Sequence, residues 1–360
     1  MTINDSRPAL VACPDSFKGT CSAHEVARAV ARAGADAGWS TDVCPMSDGG
    51  EGFASVLETL GGELRSAEVT GPLGSTVKAH WRHVGELAVI ESAEASGLVL
   101  AGGAAGNDPV RATSRGTGEL ITSAISDGAR QVLVGVGGSA TTDGGVGAVQ
   151  AISEAGGFGG AEVVVAADTR VKFSEAAAIY APQKGATPDQ VRFLSDRLIE
   201  LVEEYEKAYG MNVDTVVGSG AAGGLAGGLA VLGATIRPGF EVVSDAVGLA
   251  ARASRAQLLV TGEGRVDATS WTGKVVGGVE GLAASLRIPL LVVAGRVDWD
   301  SAVPDAASGS PAPVRTLSLS ELFGDERSVG DTTSCVTEAV RLELDRWGSE
   351  PTDELGRGAG

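Results

Sequence analysis

The sequence predicts an α/β fold: a doubly wound sheet built from both ends of the chain, with a second α/β domain inserted between them and a cleft where the two meet. Three observations predict it. The chain opens strand, loop, helix, strand, loop, helix, the alternation that builds parallel sheets. Apolar runs at 258–261, 289–294 and 315–319 return to that pattern near the other end. Between them, residues 66–100 read as short β segments separated by turns, which suits hairpins rather than crossovers. The expected boundaries are 1–66 plus 250–360 for the first domain and 67–249 for the insert.

In chain order, residues 9–13 form an apolar strand that ends in PDSFKG (14–19). Ser22, with Glu25 three residues on, is a capping box, and Val26, Val30 and Ala33 follow at helical spacing. A strand at 41–44 ends in PMSDGGEG (45–52), and Phe53, Val56, Leu57 and Leu60 share one face of an expected helix. Val69, Val77, His80 and Trp81 lie in β segments around the turn TGPLG (70–74). A helix is expected over 116–129, and VLVGVGG (132–138) is a buried strand running into a glycine-rich loop. The strand 162–167 ends at Asp168. Thr187 caps a long amphipathic helix, with Pro188 at its first position and Asp189 in its first turn. Residues 218–233 are rich in Gly, Ala and Leu but too short and glycine-rich to span a membrane. The strands at 258–261 and 289–294 end in GEGRVD and GRVD. A loop is expected over 300–312, a last strand at 315–319, a last helix over 332–347, and a polar tail from 348.

Composition narrows the function. Twenty-eight Lys and Arg against 46 Asp and Glu give a net charge of −18. That argues against nucleic acid or a membrane surface as partner, since both require a basic face. Any cations that grip an anionic small substrate must therefore be local. The 53 glycines in 360 residues are about twice the usual share of roughly 7% and follow no collagen period. They cluster after apolar runs, where backbone lines loops. Cys13, Cys21, Cys44 and Cys335 lack zinc-type or CxxC spacing and read as reduced thiols. The start, MTINDSRP, has no signal-peptide character, so a cytoplasmic protein is expected. His24, His80 and His83 lack partners at triad or metal spacing and read as structural.

Five loops combine glycine with charge or hydroxyl. PDSFKG offers Asp15, Ser16 and Lys18; SDGGEG offers Ser47, Asp48 and Glu51. GVGGSATTDGG (135–145) offers Ser139, Thr141, Thr142 and Asp143; APQKGA offers Gln183 and Lys184; GEGRVD offers Glu263, Arg265 and Asp267. Glycine lets backbone amides approach a phosphate. Lysine and arginine neutralise its oxygens, and carboxylates hold Mg²⁺ or take a hydroxyl proton. Phosphoryl transfer needs that mixture. There is no Walker A motif, no GxGxxG opening the first helix and no GxSxG elbow.

These loops, together with TGPLG, EASGL (94–98), TSRGTGEL (113–120) and GSGAAGGL (218–225), resemble in type and order the bacterial glycerate kinases of the glycerate 2-kinase type. The resemblance implies ATP- and Mg²⁺-dependent phosphorylation of D-glycerate, with 2-phosphoglycerate as product, and a discontinuous Rossmann-like domain. It is least complete at 146–181: the stretch 146–161 is short, and AADTRVKF (166–173) stands where the family has a CDVxNPL-type segment, with Ala167 in place of the cysteine. Another small hydroxy acid as acceptor, or a catalytically silent ligand-binding member, are the alternatives.

The roles expected are these. Gly137, Gly138, Ser139, Thr142, Glu263 and Arg265 bind nucleotide. Asp15, Ser16, Arg115 and Lys184 bind the acid, and Lys18 neutralises phosphate or carboxylate. Asp48, Asp143 and Asp168 compete for metal ligand and general base. Asp168 is favoured as base, because partial burial at the end of an apolar strand would raise its pKa. Asp143 and Asp267 are the metal candidates. The partners expected are the small acid and ATP, with a homodimer left open.

Overall fold

A computed structural model describes residues 7–50, 52–299 and 313–349. Glu51, the loop expected over 300–312 and the tail from 350 lie outside the described residues. The chain divides into two compact units, Met1–Ser47 with Val243–Gly360, and Asp48–Val242. Its strands are β1 (Ala9–Ala12), β2 (Ser40–Val43), β3 (Glu63–Thr70), β4 (Thr76–Val84), β5 (Leu87–Glu91), β6 (Gln131–Gly135), β7 (Glu162–Ala166), β8 (Thr235–Arg237), β9 (Leu258–Val266), β10 (Leu290–Val297) and β11 (Val314–Ser318).

The first unit holds a five-stranded sheet in the order β11-β10-β9-β1-β2, every neighbouring pair parallel. Parallel neighbours need crossovers, and the capping box supplies the first one. Ser22 Oγ accepts from the Glu25 N–H, Glu25 Oε2 accepts from the Ser22 N–H at 2.8 Å, and the helix Ala23–Asp36 starts there. Its Val26, Val30 and Ala33 pack with Leu10 and Leu291, and with Val336 and Val340 of the helix Thr332–Ser349. The step from β1 to β2 runs one way across the sheet and the steps β9 to β10 to β11 run the other. The order therefore reverses between β1 and β9, the place where open α/β sheets bind ligands beyond the strands' carboxyl ends.

GEGRV was expected as a loop, but it is strand. β9 runs on to Val266 because β10 runs on beside it, with Glu263 opposite Ala294 and Arg265 opposite Arg296. The two G-R-V-D motifs lie side by side in register.

The second unit holds a six-stranded sheet in the order β3-β4-β5-β6-β7-β8. The hairpins expected at 66–100 form its antiparallel half, and β5 to β8 are parallel. The domain boundary expected at 66/67 falls inside β3, which pairs along its whole length with β4; the boundary at 249/250 falls inside the helix Leu249–Ala253. The helix expected from Phe53 is only Phe53–Val56 followed by a 3₁₀ turn, Leu57–Leu60, with Gly61 and Gly62 beyond it at positive φ. Helices Arg115–Ser126 and Val146–Glu154 pack Leu120, Ile121, Ala148 and Ile152 with Val132, Val134 and Val163 of the sheet. The helix Pro188–Tyr209 opens on a Thr187–Gln190 capping box and packs Leu194, Leu198 and Tyr205 with Phe173 and Val213. No helix among the described residues is long and apolar enough to cross a membrane.

Candidate active site

The second unit carries a pocket of about 340 Å³ beyond the carboxyl ends of β6 and β7. β6 stops at Gly135, and the chain turns through Val136–Ser139 with Gly138 at φ 68°. The EASGL segment pins this turn: the Leu98 N–H donates to Gly138 O at 2.8 Å and the Ala140 N–H to Ser96 O at 2.9 Å. Gly137, Gly138 and Ser139 line the pocket. Lys184 enters from the 3₁₀ turn Pro182–Lys184. Gly185 ends that turn at φ 93°, where a Cβ would stand 2.1 Å from Ala104 O, so glycine is required there. Asn107 Nδ2 fastens the turn by donating to Lys184 O at 2.9 Å and Ala140 O at 3.1 Å.

Lys184 is 4% exposed, the one buried lysine or arginine among the described residues. Its Nζ donates to Ser139 Oγ at 2.9 Å and Thr141 O at 2.6 Å. Burial pushes the amine down to about 7, against the pull of the Asp143 carboxylate. Asp168 and Thr169 form another part of the wall with Tyr180, whose hydroxyl donates to Thr169 Oγ1 at 2.7 Å.

The structure corrects several expectations for this unit. Asp168 lines the pocket but is exposed, because β7 ends at Ala166 and the chain leaves the sheet there. The case for it as base therefore rests on position, not burial. Asp143 does not line this pocket. Its Oδ2 accepts from the Ser114 N–H and Oγ–H, both at 2.8 Å, and from the Gly147 N–H at 3.3 Å, while Oδ1 accepts from the Gly145 N–H at 3.0 Å. Four protein donors satisfy this buried carboxylate, which ties two helix starts together and does not fit a metal ligand. Thr142 is fully buried, with its carbonyl held by Arg197, and is not on the pocket wall. Arg115 is held at the surface by Glu119 at 2.9 Å and Glu154 at 2.6 Å, and does not line the pocket either. Asp48 is buried and accepts from the Gly50 N–H at 3.0 Å, so it shapes the Gly49–Gly50 turn that forms part of the wall.

The first unit carries its own pocket, about 610 Å³, where its sheet order reverses. Asp15, Ser16 and Lys18 reach it from the loop after β1, Glu263 and Arg265 from the end of β9, and Asp267 from the turn that follows. Asp15 Oδ1 accepts from the Ser16 N–H at 2.6 Å. The Thr269 hydroxyl and N–H hold the Asp267 carboxyl below its usual range, through contacts of 2.6 and 2.8 Å to Oδ1. Two further cations, Lys274 and Arg296, line this pocket and were missed. The repeated G-R-V-D motif was the signal for Arg296, since equal motifs on neighbouring parallel strands bring equal side chains to one edge.

Among the described residues no three His, Cys, Asp or Glu side chains cluster as a metal site. Mg²⁺ does not require one, since it binds through one or two carboxylates, water and substrate phosphates. Asp15, Glu263 and Asp267 line the pocket together with four cations, so these are the carboxylates that would meet a magnesium ion held chiefly by a polyphosphate. Arg197 was not foreseen either. From the long helix it grips the carbonyls of Thr142 and, at 3.0 Å, Val110, while the Tyr205 hydroxyl holds Gly144 O at 3.0 Å.

Comparison with known proteins agrees with the ordered loops. The model of the glycerate kinase family matches residues 10–156 and 156–314. A glycerate 2-kinase of Escherichia coli (strain K12) is 39% identical over 334 residues, covering 82% of this chain and 87% of its own length. A glycerate kinase of Bacillus subtilis (strain 168) is 36% identical over 329 residues, covering 81% and 86%. A crystal structure named for glycerate kinase 2 of Salmonella typhimurium LT2 superposes with a TM-score of 0.77 at 31% identity, covering 95% of this chain and 99% of that one.

Proposed function

The chain belongs to the glycerate kinase family, and from that premise we propose that it transfers the γ-phosphoryl group of ATP to a hydroxyl of D-glycerate, giving 2-phosphoglycerate and ADP. The observation that carries this reading is Lys184, a buried amine on the wall of a small pocket beside the glycine turn. A pocket of about 340 Å³ has room for an acid of glycerate's size. We assign the acid to it, with Lys184 and the Gly137–Ser139 backbone on the anionic group and Asp168 as the base that takes the hydroxyl proton. The oxygen then forms a bond to phosphorus as the bond from the γ-phosphorus to the β-bridging oxygen breaks, and ADP leaves.

We assign ATP to the pocket of the first unit, and read that unit as a discontinuous Rossmann-like nucleotide domain. Lys18, Arg265, Lys274 and Arg296 supply the positive charge a triphosphate needs, and a position at the sheet's reversal supports the assignment. Magnesium, held by the phosphates with Asp15, Glu263 or Asp267, would neutralise charge developing between the β- and γ-phosphates.

One observation favours a second acceptor. Ala166, Ala167, Asp168 and Thr169, from the segment that departs from the family's pattern, line the same pocket. A different small hydroxy acid would meet its distinctive wall there.

The test is ADP release by the purified chain with ATP and Mg²⁺ given D-glycerate, L-glycerate, other hydroxy acids or no acceptor. D-glycerate is expected to be the best acceptor, and Asp168→Asn to lower kcat by roughly 10²–10⁴-fold. Release that ignores every acceptor would overturn the kinase reading. A variant within about threefold of wild type would remove Asp168 as base.

A further inference from the structure

The Lys184 Nζ already serves two protein acceptors, Ser139 Oγ at 2.9 Å and Thr141 O at 2.6 Å. A neutral amine has two N–H bonds and an ammonium has three. In this arrangement the neutral form either commits both hydrogens to the protein or takes the Ser139 hydroxyl on its lone pair, and in both cases it faces an incoming anion with no charge. The ammonium keeps both bonds and has a third N–H, with its charge, for the ligand. We propose that the acceptor's carboxylate seats on Lys184 and that the amine takes a proton from solvent as the anion enters.

This rests on the reading that the pocket binds a small hydroxy acid with its anionic group on Lys184, and adds that a proton is bound with the acid. The other charged or titratable groups around the amine agree with the orientation. Asp143 acts on Lys184 through the loop between them, and Arg197 holds the neighbouring Thr142 carbonyl. Asp168 and Tyr180 stand on the pocket wall. Asp168 repels a carboxylate and suits a hydroxyl, so the acid is oriented with its carboxylate at Lys184 and a hydroxyl at Asp168. Burial, opposed by the Asp143 carboxylate, keeps the empty pocket's amine near 7, and a bound carboxylate favours its charged form.

The experiment is calorimetric titration of the full chain with D-glycerate and, separately, with glycolate, in two buffers of different ionisation enthalpy at pH 8 and again at pH 6. Buffer-dependent heats at pH 8 are expected to report uptake approaching one proton per site, and those at pH 6 almost none. Lys184→Met is expected to abolish the uptake; if that variant does not fold, the contrast between the two pH values in the wild type decides. Uptake with glycolate but no binding of D-glycerate would support the proton step and overturn the assigned substrate. Heats independent of buffer for whichever acid binds, or failure of both acids to bind, would overturn the inference itself.

Discussion

The Lys184 amine and the Ser139 hydroxyl, 45 residues apart in sequence, meet at 2.9 Å inside the second unit. Each belongs to a loop that is an ordinary connection by itself. Together they turn a glycine-rich turn into a polar corner with a titratable amine at its base. Two loops shape that corner: Gly185 at positive φ turns the chain behind Lys184, and EASGL holds the turn in front of it.

Removing that amine has a predictable pH signature. In the folded chain the Lys184 amine titrates near 7, and in the unfolded chain near its ordinary value of about 10.4. Between those values the unfolded chain binds more protons, so this group makes stability rise with pH through that window. The unfolding free energy of wild type minus that of Lys184→Met should therefore climb from pH 7 to pH 10 in urea titrations. A flat difference would mean the amine titrates normally in the folded state.

Asp143 offers a contrast between structure and metal binding. Its replacement by alanine leaves the Ser114, Gly145 and Gly147 donors without their carboxylate. A loss of about 3 kcal/mol is expected in urea unfolding, because several buried charged hydrogen bonds are lost together. The Mg²⁺ concentration that half-saturates ADP release by the folded fraction should not move. A strong rise in that concentration would restore Asp143 as a metal ligand.

Arg115 should tolerate change. Its partners Glu119 and Glu154 are partly or largely exposed, and such ion pairs contribute roughly 0–1 kcal/mol. Arg115→Ala should leave the KM for D-glycerate unchanged and shift stability by about 1 kcal/mol or less. A large increase in that KM would place the guanidinium on the acid after all.

Arg296 should act on nucleotide alone. Hydrogen bonds to charged groups contribute about 1.5–3 kcal/mol, so Arg296→Ala is expected to raise the KM for ATP about tenfold or more. The KM for D-glycerate should stay put. A rise in the acid's KM with none in the nucleotide's would reverse the assignment of the two pockets.

Much of this is legible in the sequence. The Ser22–Glu25 capping box, the Thr187 cap and the strand ends before PDSFKG and GVGGS all depend on contacts within a few residues, and all appear close to where the spacing puts them. The error at GEGRV has a definite cause. Glycine and charge suggest a loop, yet pairing with β10 makes those residues strand, and pairing is a property of two distant segments. Arg197 was illegible for the same reason, since nothing near it in the chain points to Thr142, 55 residues before it.

By itself the sequence determined most of the strands and long helices and which loops carry charge and glycine, because those follow from side-chain period, capping and turn preference over short distances. Only the tertiary structure decided which of those loops share a wall and what each acid does there. Asp143 is consumed by donors that include Ser114, 29 residues away, while Asp168 is left exposed at a pocket. Both are carboxylates in loops that follow strands. What separates them is burial: the fold wraps Asp143 in the Ser114, Gly145 and Gly147 donors and leaves Asp168 on an exposed pocket wall, and both outcomes depend on long-range packing.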